Sequence, residues 1–579
     1  MWLEKTKDNK TDMRIAHILL LILLCSNFIQ AQTTPPKYET RAVWLTTIGG
    51  IDWPHSYAQS AESIKKQKKE LTDILDRLQK ANINTILLQT RVRGTVIYPS
   101  LYEPWDGCMS GHPGKSPGYD PLSFAISECH RRGMELHAWI VTIPVGKWDG
   151  AGCRNLRKTM PGNLMKINGY GYMRPESALT ADYLSKICNE VTANYDIDGI
   201  HLDYIRYPED MPKLNRLPKD EGRRNISRIV KRIAEGVKSL KPWVKMSCSP
   251  VGKYSDLSRY DSKGWNAYNA VCQDAQAWLR DGTMDMLFPM MYFRDNHFFP
   301  FALDWQEKSC GKPIVPGLGI YFLSPREKNW PLTDITRELS FLRRNNMGHA
   351  YFRSKFFTDD TKGIYSHACD AYCRYPALNP PMTWMGYRQP EAPCLLDIHN
   401  DSNTTHVSWT HNIADSCMVS FNIYSSRDYP VNTDDARNII DIRRTARHIS
   451  LPTSPGRHYA VTAMDRYGNE SHAMQIRCAK GCELCNKPTH GAPTIGMCVA
   501  HDMLKCEGAS LTLPNSINMT DARYLLIESA EGCCIATLPK PEDTETISLH
   551  GIDDGVYTLR TLGKKGVSHR LGMFVKKTK

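Results

Sequence analysis

The sequence predicts an α/β fold: a (β/α)8 TIM barrel followed by C-terminal β-sandwich domains. Three observations carry that prediction. Apolar strand-like runs alternate with amphipathic helical stretches eight times over roughly 330 residues, the arithmetic of such a barrel. The runs are nearly continuous in aliphatic residues, as parallel strands covered on both faces must be. After the Pro-rich joint "NPPMTWMGYRQPEAP" the pattern changes to period-two alternation, the mark of half-buried antiparallel strands.

Taken in order, "RAVWLTT" (41–47) reads as the first strand and "ESIKKQKKELTDILDRLQKA" as its helix. "INTILLQT" is the second strand, with the helix "PLSFAISECHRRG" beyond a long Gly/Pro loop. "MELHAWIV" and "ALTADYLSKICNEVTANY" form the third pair, "IDGIHLDY" and "EGRRNISRIVKRIAEGVKSL" the fourth. "VKMSCSP", "DMLFPMMY", "KPIVPGLG" and "GHAYFR" complete the strands, separated by helical stretches near 266–281, 299–309 and 332–346. A doubly wound open sheet would need a Gly-rich first turn, and "TTIGGID" is a poor one. The barrel is expected over 40–370, a β-sandwich over 388–478 and a small β-rich domain over 488–579. Within the middle region "THVSWT", "VSFNIYSS", "RHISLP" and "HYAVTAMDRYGNES" resemble a fibronectin type III module, with Trp409 as its core tryptophan.

The N-terminus predicts export. Arg14 precedes "IAHILLLILLCSNFIQA", an apolar run of signal-peptide length ending at Ala31, so residues 1–31 are read as a leader. The run is short for a membrane span and no later one replaces it, so no integral span is expected. Lipid attachment at Cys25 is the less favoured alternative, because Leu24 before it is bulky. The net charge of +12 is spread along the chain without the Lys/Arg block of a nucleic-acid arm, and nucleic acid is excluded as a partner. Of the 19 cysteines one lies in the leader, and export leaves the other eighteen where disulfides can form. Those between 108 and 373 are irregularly spaced and fit buried small hydrophobes. In the denser run that begins Cys478, Cys482, Cys485, disulfides are preferred to a metal.

In this fold the active site lies at the C-terminal ends of the strands. The first strand leads to Asp52 and Trp53, the second to Gln89 and Arg91, the third to Trp139. The fourth delivers His201, Asp203, Tyr204, Arg206 and Glu209. Tyr292 and Asp295 follow the sixth, Tyr321 the seventh and Arg353 the eighth. Alternation puts Gly199, His201 and Asp203 on one face of the fourth strand and Ile200, Leu202 and Tyr204 on the other, so the polar set points into the barrel. A carboxylate there needs cations, with Arg206 and Arg91 the candidates, or its pKa rises. Scattered acids among many aromatic rings suit sugar chemistry. No Gly-rich phosphate loop and no metal-binding His pair is present, so no cofactor or metal is expected.

Four motifs, "RAVWLTTIGGIDWP", "LLQTRVRGTVIYPS", "PGYDPLSFAISECHRRGMELHAWI" and "DIDGIHLDYIRYPE", resemble the bacterial glycosyl-hydrolase-like family ten. The resemblance implies an exported barrel acting on envelope or other polysaccharides, in one branch peptide-free peptidoglycan strands. It carries Asp52 and Trp53 onto the family's first-strand loop and Asp203 onto its fourth-strand acid. Tyr204 stands where many members have a second acid. Glycoside hydrolysis needs two carboxyl groups. Asp203 is the first; Glu209, Asp52 and Asp295 are the options for the second, in that order, with Glu209 as proton donor. The alternative is a non-catalytic polysaccharide-binding or scaffold protein.

Overall fold

The computed structural model describes residues 35–212, 214–260, 262–386, 388–412, 419–476, 504–513, 522–529, 534–539, 546–563 and 568–577. The expected leader and Cys25, and the cysteines from 478 to 498, lie outside them.

Eight parallel strands form the predicted α/β barrel: β1 (Arg41–Leu45), β2 (Thr85–Arg91), β3 (Glu135–Val141), β4 (Gly199–Asp203), β5 (Lys245–Cys248), β6 (Met286–Leu287), β7 (Gly317–Leu318) and β8 (His349–Tyr351). Each pairs with its chain neighbour, and β8 pairs back onto β1, with Arg41 opposite His349. Single bridges, Leu287 to Ile314 and Met290 to Gly317, connect β6 to β7 and close the ring. The later strands are shorter than their apolar runs suggested. Prolines 289, 313 and 316 explain this, because each removes a ladder donor.

Helix α1 (Ala61–Lys80) shows how the outer layer is specified. Ser60 caps it, and Ser63 returns the hydrogen bond to the cap backbone. Gln67, Leu71, Leu75 and Leu78 recur at helical spacing and face the barrel. Strand residues divide by parity. Ile200 and Leu202 join the core under the helices, while Ala42, Trp44, Leu87 and Trp139 pack inside the ring. Gly199 is inward and small for a reason: a Cβ there would meet His137 Nδ1 at 2.5 Å.

After the barrel, strands Leu395–Asn400, Thr404–Thr410 and His448–Pro452 form one antiparallel sheet. Val419–Ser426, Ile439–Arg444, His458–Asp465 and Met474–Ile476 form a second. The two share an apolar core that holds Trp409. Two further antiparallel sheets, of three and four strands, lie between Cys506 and Lys576 around a separate apolar core. Seven of the nine cysteines from 108 to 373 are buried free thiols, the expected small hydrophobes; Cys310 is exposed and Cys369 half-buried.

The first β-unit is docked on the floor of the barrel. A bulge opposite Phe421–Ile423 and a left-handed backbone at Arg443 (φ 54°) turn that arginine out of its strand. Its guanidinium bonds Glu135 at 2.9 Å, the first residue of β3, and Asp198, the residue just before β4. Gly133 permits the approach, since a Cβ would come within 2.6 Å of the Ile442 carbonyl.

Glu39, just before β1, gives an acid-stability prediction. Burial alone would raise its pKa, but Arg41 and Arg343 outweigh burial and hold it at about 2. A depressed folded value contributes stability above the ordinary 4.5, of order 3 kcal/mol, which is lost as pH falls toward about 2. The melting temperature should therefore drop between those two values, and the Glu39→Gln protein should show a shallower drop from a lower starting point.

Candidate active site

Asp203 closes β4 at the barrel mouth, on the same inward face as Gly199 and His201. Its Oδ1 accepts from Ser249 Oγ and the Tyr204 N–H, each at 2.8 Å, and its Oδ2 accepts from Trp139 Nε1 at 3.1 Å. Three of about four lone-pair positions are thus filled, leaving one on Oδ2. Burial raises its pKa, and Arg206, Ser249, Tyr204 and Trp139 offset that rise only in part. A carboxyl group so placed is suited to carrying a proton. Tyr204 directly follows in the left-handed region (φ 53°), which holds its amide on Asp203 and leaves its ring partly exposed beneath the Arg206 guanidinium, 4.3 Å away.

Arg206 donates through Nε and Nη2 to Glu209 Oε1, at 2.9 and 2.8 Å. Its remaining Nη1 is buried without a hydrogen-bond partner. Arg206, Tyr204 and Glu209 line a cleft of about 350 Å3 together with Arg93, Asp210, Tyr170 and Tyr172. The wall opposite β4 is a three-stranded sheet inserted after β3: Pro144–Lys147, Leu164–Ile167 and Tyr170–Met173. The strand–helix alternation of the sequence gives no place to this insertion. Its signal is the dipeptide Asn168-Gly169, whose positive φ values of 48° and 81° make the hairpin turn between the last two strands.

Tyr292, Tyr321 and Arg353 reach the mouth from the ends of β6, β7 and β8. Burial, then the nearby Asp203 charge, push the Tyr292 phenol well up. Tyr292 meets Tyr321 edge to face at 5.8 Å.

Other candidates sit elsewhere, for identifiable reasons. Arg91 does not hold the Asp203 charge. It is fully buried against Glu103, with Nη1 on the Val141 and Thr142 carbonyls. Trp53 is a core residue whose Nε1 donates to the Gln67 carbonyl. Gln89 braces the loop after β1 by accepting from the Thr47 and Ile48 amides. Asp52 accepts from Thr46 N and Oγ1, from the Lys355 amide at 3.0 Å and from Arg353, so both residues of that pair clasp the β1 and β8 loops together. Asp295 is exposed and paired with Arg337 at 3.4 Å. His201 is wholly buried one layer below Asp203. Trp44 Nε1 donates to its Nε2 at 3.3 Å, so its protonated Nδ1 faces Ser247 Oγ at 3.0 Å. Burial and His137 press its pKa well down, and it stands as a neutral support. Among the described residues no cluster of His, Cys, Asp and Glu has the arrangement of a metal site, and no helix is long and apolar enough to cross a membrane.

The model of the family described as "Glycosyl hydrolase-like 10" fits residues 39–217 and 214–322. That fit to the glycosyl hydrolase-like 10 family runs through the barrel from β1 to β7. That match covers the strands that carry Asp203, Trp139 and Tyr292. "Glycosyl hydrolase YngK" of Bacillus subtilis (strain 168) is 27% identical over 485 residues, 76% of this chain and 92% of that one. "Glycosyl hydrolase DigH" of Escherichia coli (strain K12) is 27% identical over 348 residues, 50% of this chain and 77% of its own. Among solved structures, the endo-1,4-beta-mannanase of Rhizomucor miehei superposes with a TM-score of 0.41 at 11% identity, over 59% of this chain and 99% of that one.

Proposed function

We propose that this chain is a glycoside hydrolase that cleaves a polysaccharide, with Asp203 as its proton-donating carboxyl group. The observation that carries the reading is Asp203 itself: buried at the end of β4, raised in pKa, with one Oδ2 position unfilled and its chain neighbour Tyr204 lining an aromatic cleft. Glu209, held by Arg206 at the rim of that cleft, is the second carboxyl group. This reverses the roles expected from sequence, because burial favours the protonated form at Asp203 while Glu209 accepts two hydrogen bonds from a guanidinium. In hydrolysis Asp203 protonates the glycosidic oxygen as the C–O bond breaks. Glu209 supplies the negative charge that either attacks the anomeric carbon or takes a proton from water.

Peptide-free peptidoglycan strands are the first substrate to test. The apolar leader expected at residues 1–31 would take the chain out of the cytoplasm, and the family resemblance points to envelope glycans. The β-unit at 395–476, read as fibronectin type III-like, supports the barrel from below. New reducing ends should appear when the protein is incubated with such strands or with a panel of neutral and uronic glycans. A second reading, glycan binding without cleavage, draws on the departure of Asp52 and Asp295 from the Asp203 site. Binding to a glycan with no reducing ends after prolonged incubation would select it over hydrolysis.

A further inference from the structure

Asp203 runs directly into Tyr204, one ring of the cleft, and is near enough to Tyr292 for its charge to bear on that phenol. On one side Tyr170 and Tyr172 of the inserted sheet, with Tyr204, line the cleft between the β3 and β4 loops. On the other, Tyr321 stands 5.8 Å from Tyr292 and 6.4 Å from Phe356, rings that follow β6, β7 and β8. In a ring of eight strands β4 is opposite β8, so the two groups flank the mouth rather than share one wall. An enzyme that removes terminal sugars needs its carboxyl group at the closed end of a pocket. Rings on both sides instead offer apolar faces to sugars before and after the bond that is cut.

Resting on the glycosidase reading above, we infer that the chain cleaves its polysaccharide internally, holding sugar units on the Tyr170–Tyr204 side and on the Tyr292–Phe356 side of Asp203. Water supplies hydroxyl to the anomeric carbon and a proton, through the carboxyl pair, to the departing sugar. Two shortened chains result, and nothing is oxidised or reduced.

The test uses peptide-free peptidoglycan strands labelled at the reducing end, sampled from the first turnovers. Wild-type protein should yield products of intermediate length before any terminal unit accumulates. Tyr170→Ala and Tyr321→Ala should each lower kcat/KM by about tenfold, the scale of one lost stacking ring, mostly through KM. The two should also shift the favoured cut in opposite directions relative to the label, which a purely structural defect would not do. Tyr170→Phe and Tyr321→Phe keep the ring and should keep the wild-type cut pattern. Release of terminal units alone from the outset, or an unchanged cut pattern in both alanine proteins, overturns internal cleavage while leaving the glycosidase reading intact. Absence of any cleavage by wild-type protein overturns the glycosidase reading and this inference with it.

Discussion

On a natural glycan the Asp203→Asn protein is expected to turn over about 10³-fold more slowly than wild type, the scale of a lost general acid. On an aryl glycoside whose phenol departs without protonation, the deficit should shrink to about tenfold. The contrast follows from the chemistry. A sugar alkoxide is a poor leaving group and needs the proton, whereas an activated phenolate does not. Glu209→Gln should lose activity on both substrates, because neither can do without attack at the anomeric carbon. The opposite pair of patterns, Glu209→Gln rescued and Asp203→Asn not, would return proton donation to Glu209. Asn at 203 keeps one oxygen to accept from Ser249 and the Tyr204 amide but sets an NH2 against the Trp139 Nε1–H, so the melting temperature is measured beside the rates to separate chemistry from stability.

The second large effect is on stability. Arg443 is the cation on which Glu135 and Asp198 converge from the barrel floor, with Lys245 also on Glu135 and His130 also on Asp198. Burial opposes ionisation at both acids, and Arg443 is the leading counterweight at Asp198. Arg443→Ala should cost about 3–5 kcal/mol, the usual penalty for stranding a buried charge. Because Glu135 opens β3 and Asp198 directly precedes β4, barrel and β-unit should lose stability together, in one lowered thermal transition. Lys69→Ala, which removes an exposed pair with Asp73, should change stability by less than about 0.5 kcal/mol. Equal, small effects from the two substitutions would contradict the described interface.

Much of this architecture is legible in the chain. Period and composition place the first four strands and their helices to within a few residues, since each strand is an apolar run followed by a helix of at least eleven residues. The sixth and seventh strands are less legible, because Pro289, Pro313 and Pro316 break the ladder inside apolar runs that look continuous. Asp203 is legible because β4 alternates cleanly, and a carboxylate on its inward face has nowhere to go but the mouth. The partners of the other candidates are not. Arg91 and Asp52 carry the residue types of a site, and only the fold shows that Glu103 and Arg353 engage them. Their bonds join residues 12 and 301 positions apart, separations on which local periodicity is silent. Ser249 escaped notice for a related reason. A serine at a strand end is unremarkable until its hydroxyl meets a carboxylate from the neighbouring strand.

The most direct test of the central claim is the pH dependence of kcat/KM on a natural glycan. A proton donor works in its protonated form, so activity should fall about tenfold per pH unit once pH exceeds the folded pKa of Asp203. Burial places that value above the ordinary 3.8 of an aspartate, so the alkaline limb should begin correspondingly higher. The residual activity of Asp203→Asn, measured at high protein concentration, should lack the limb altogether. The same alkaline limb in both proteins would contradict the account, since the titrating group would then be some residue other than Asp203.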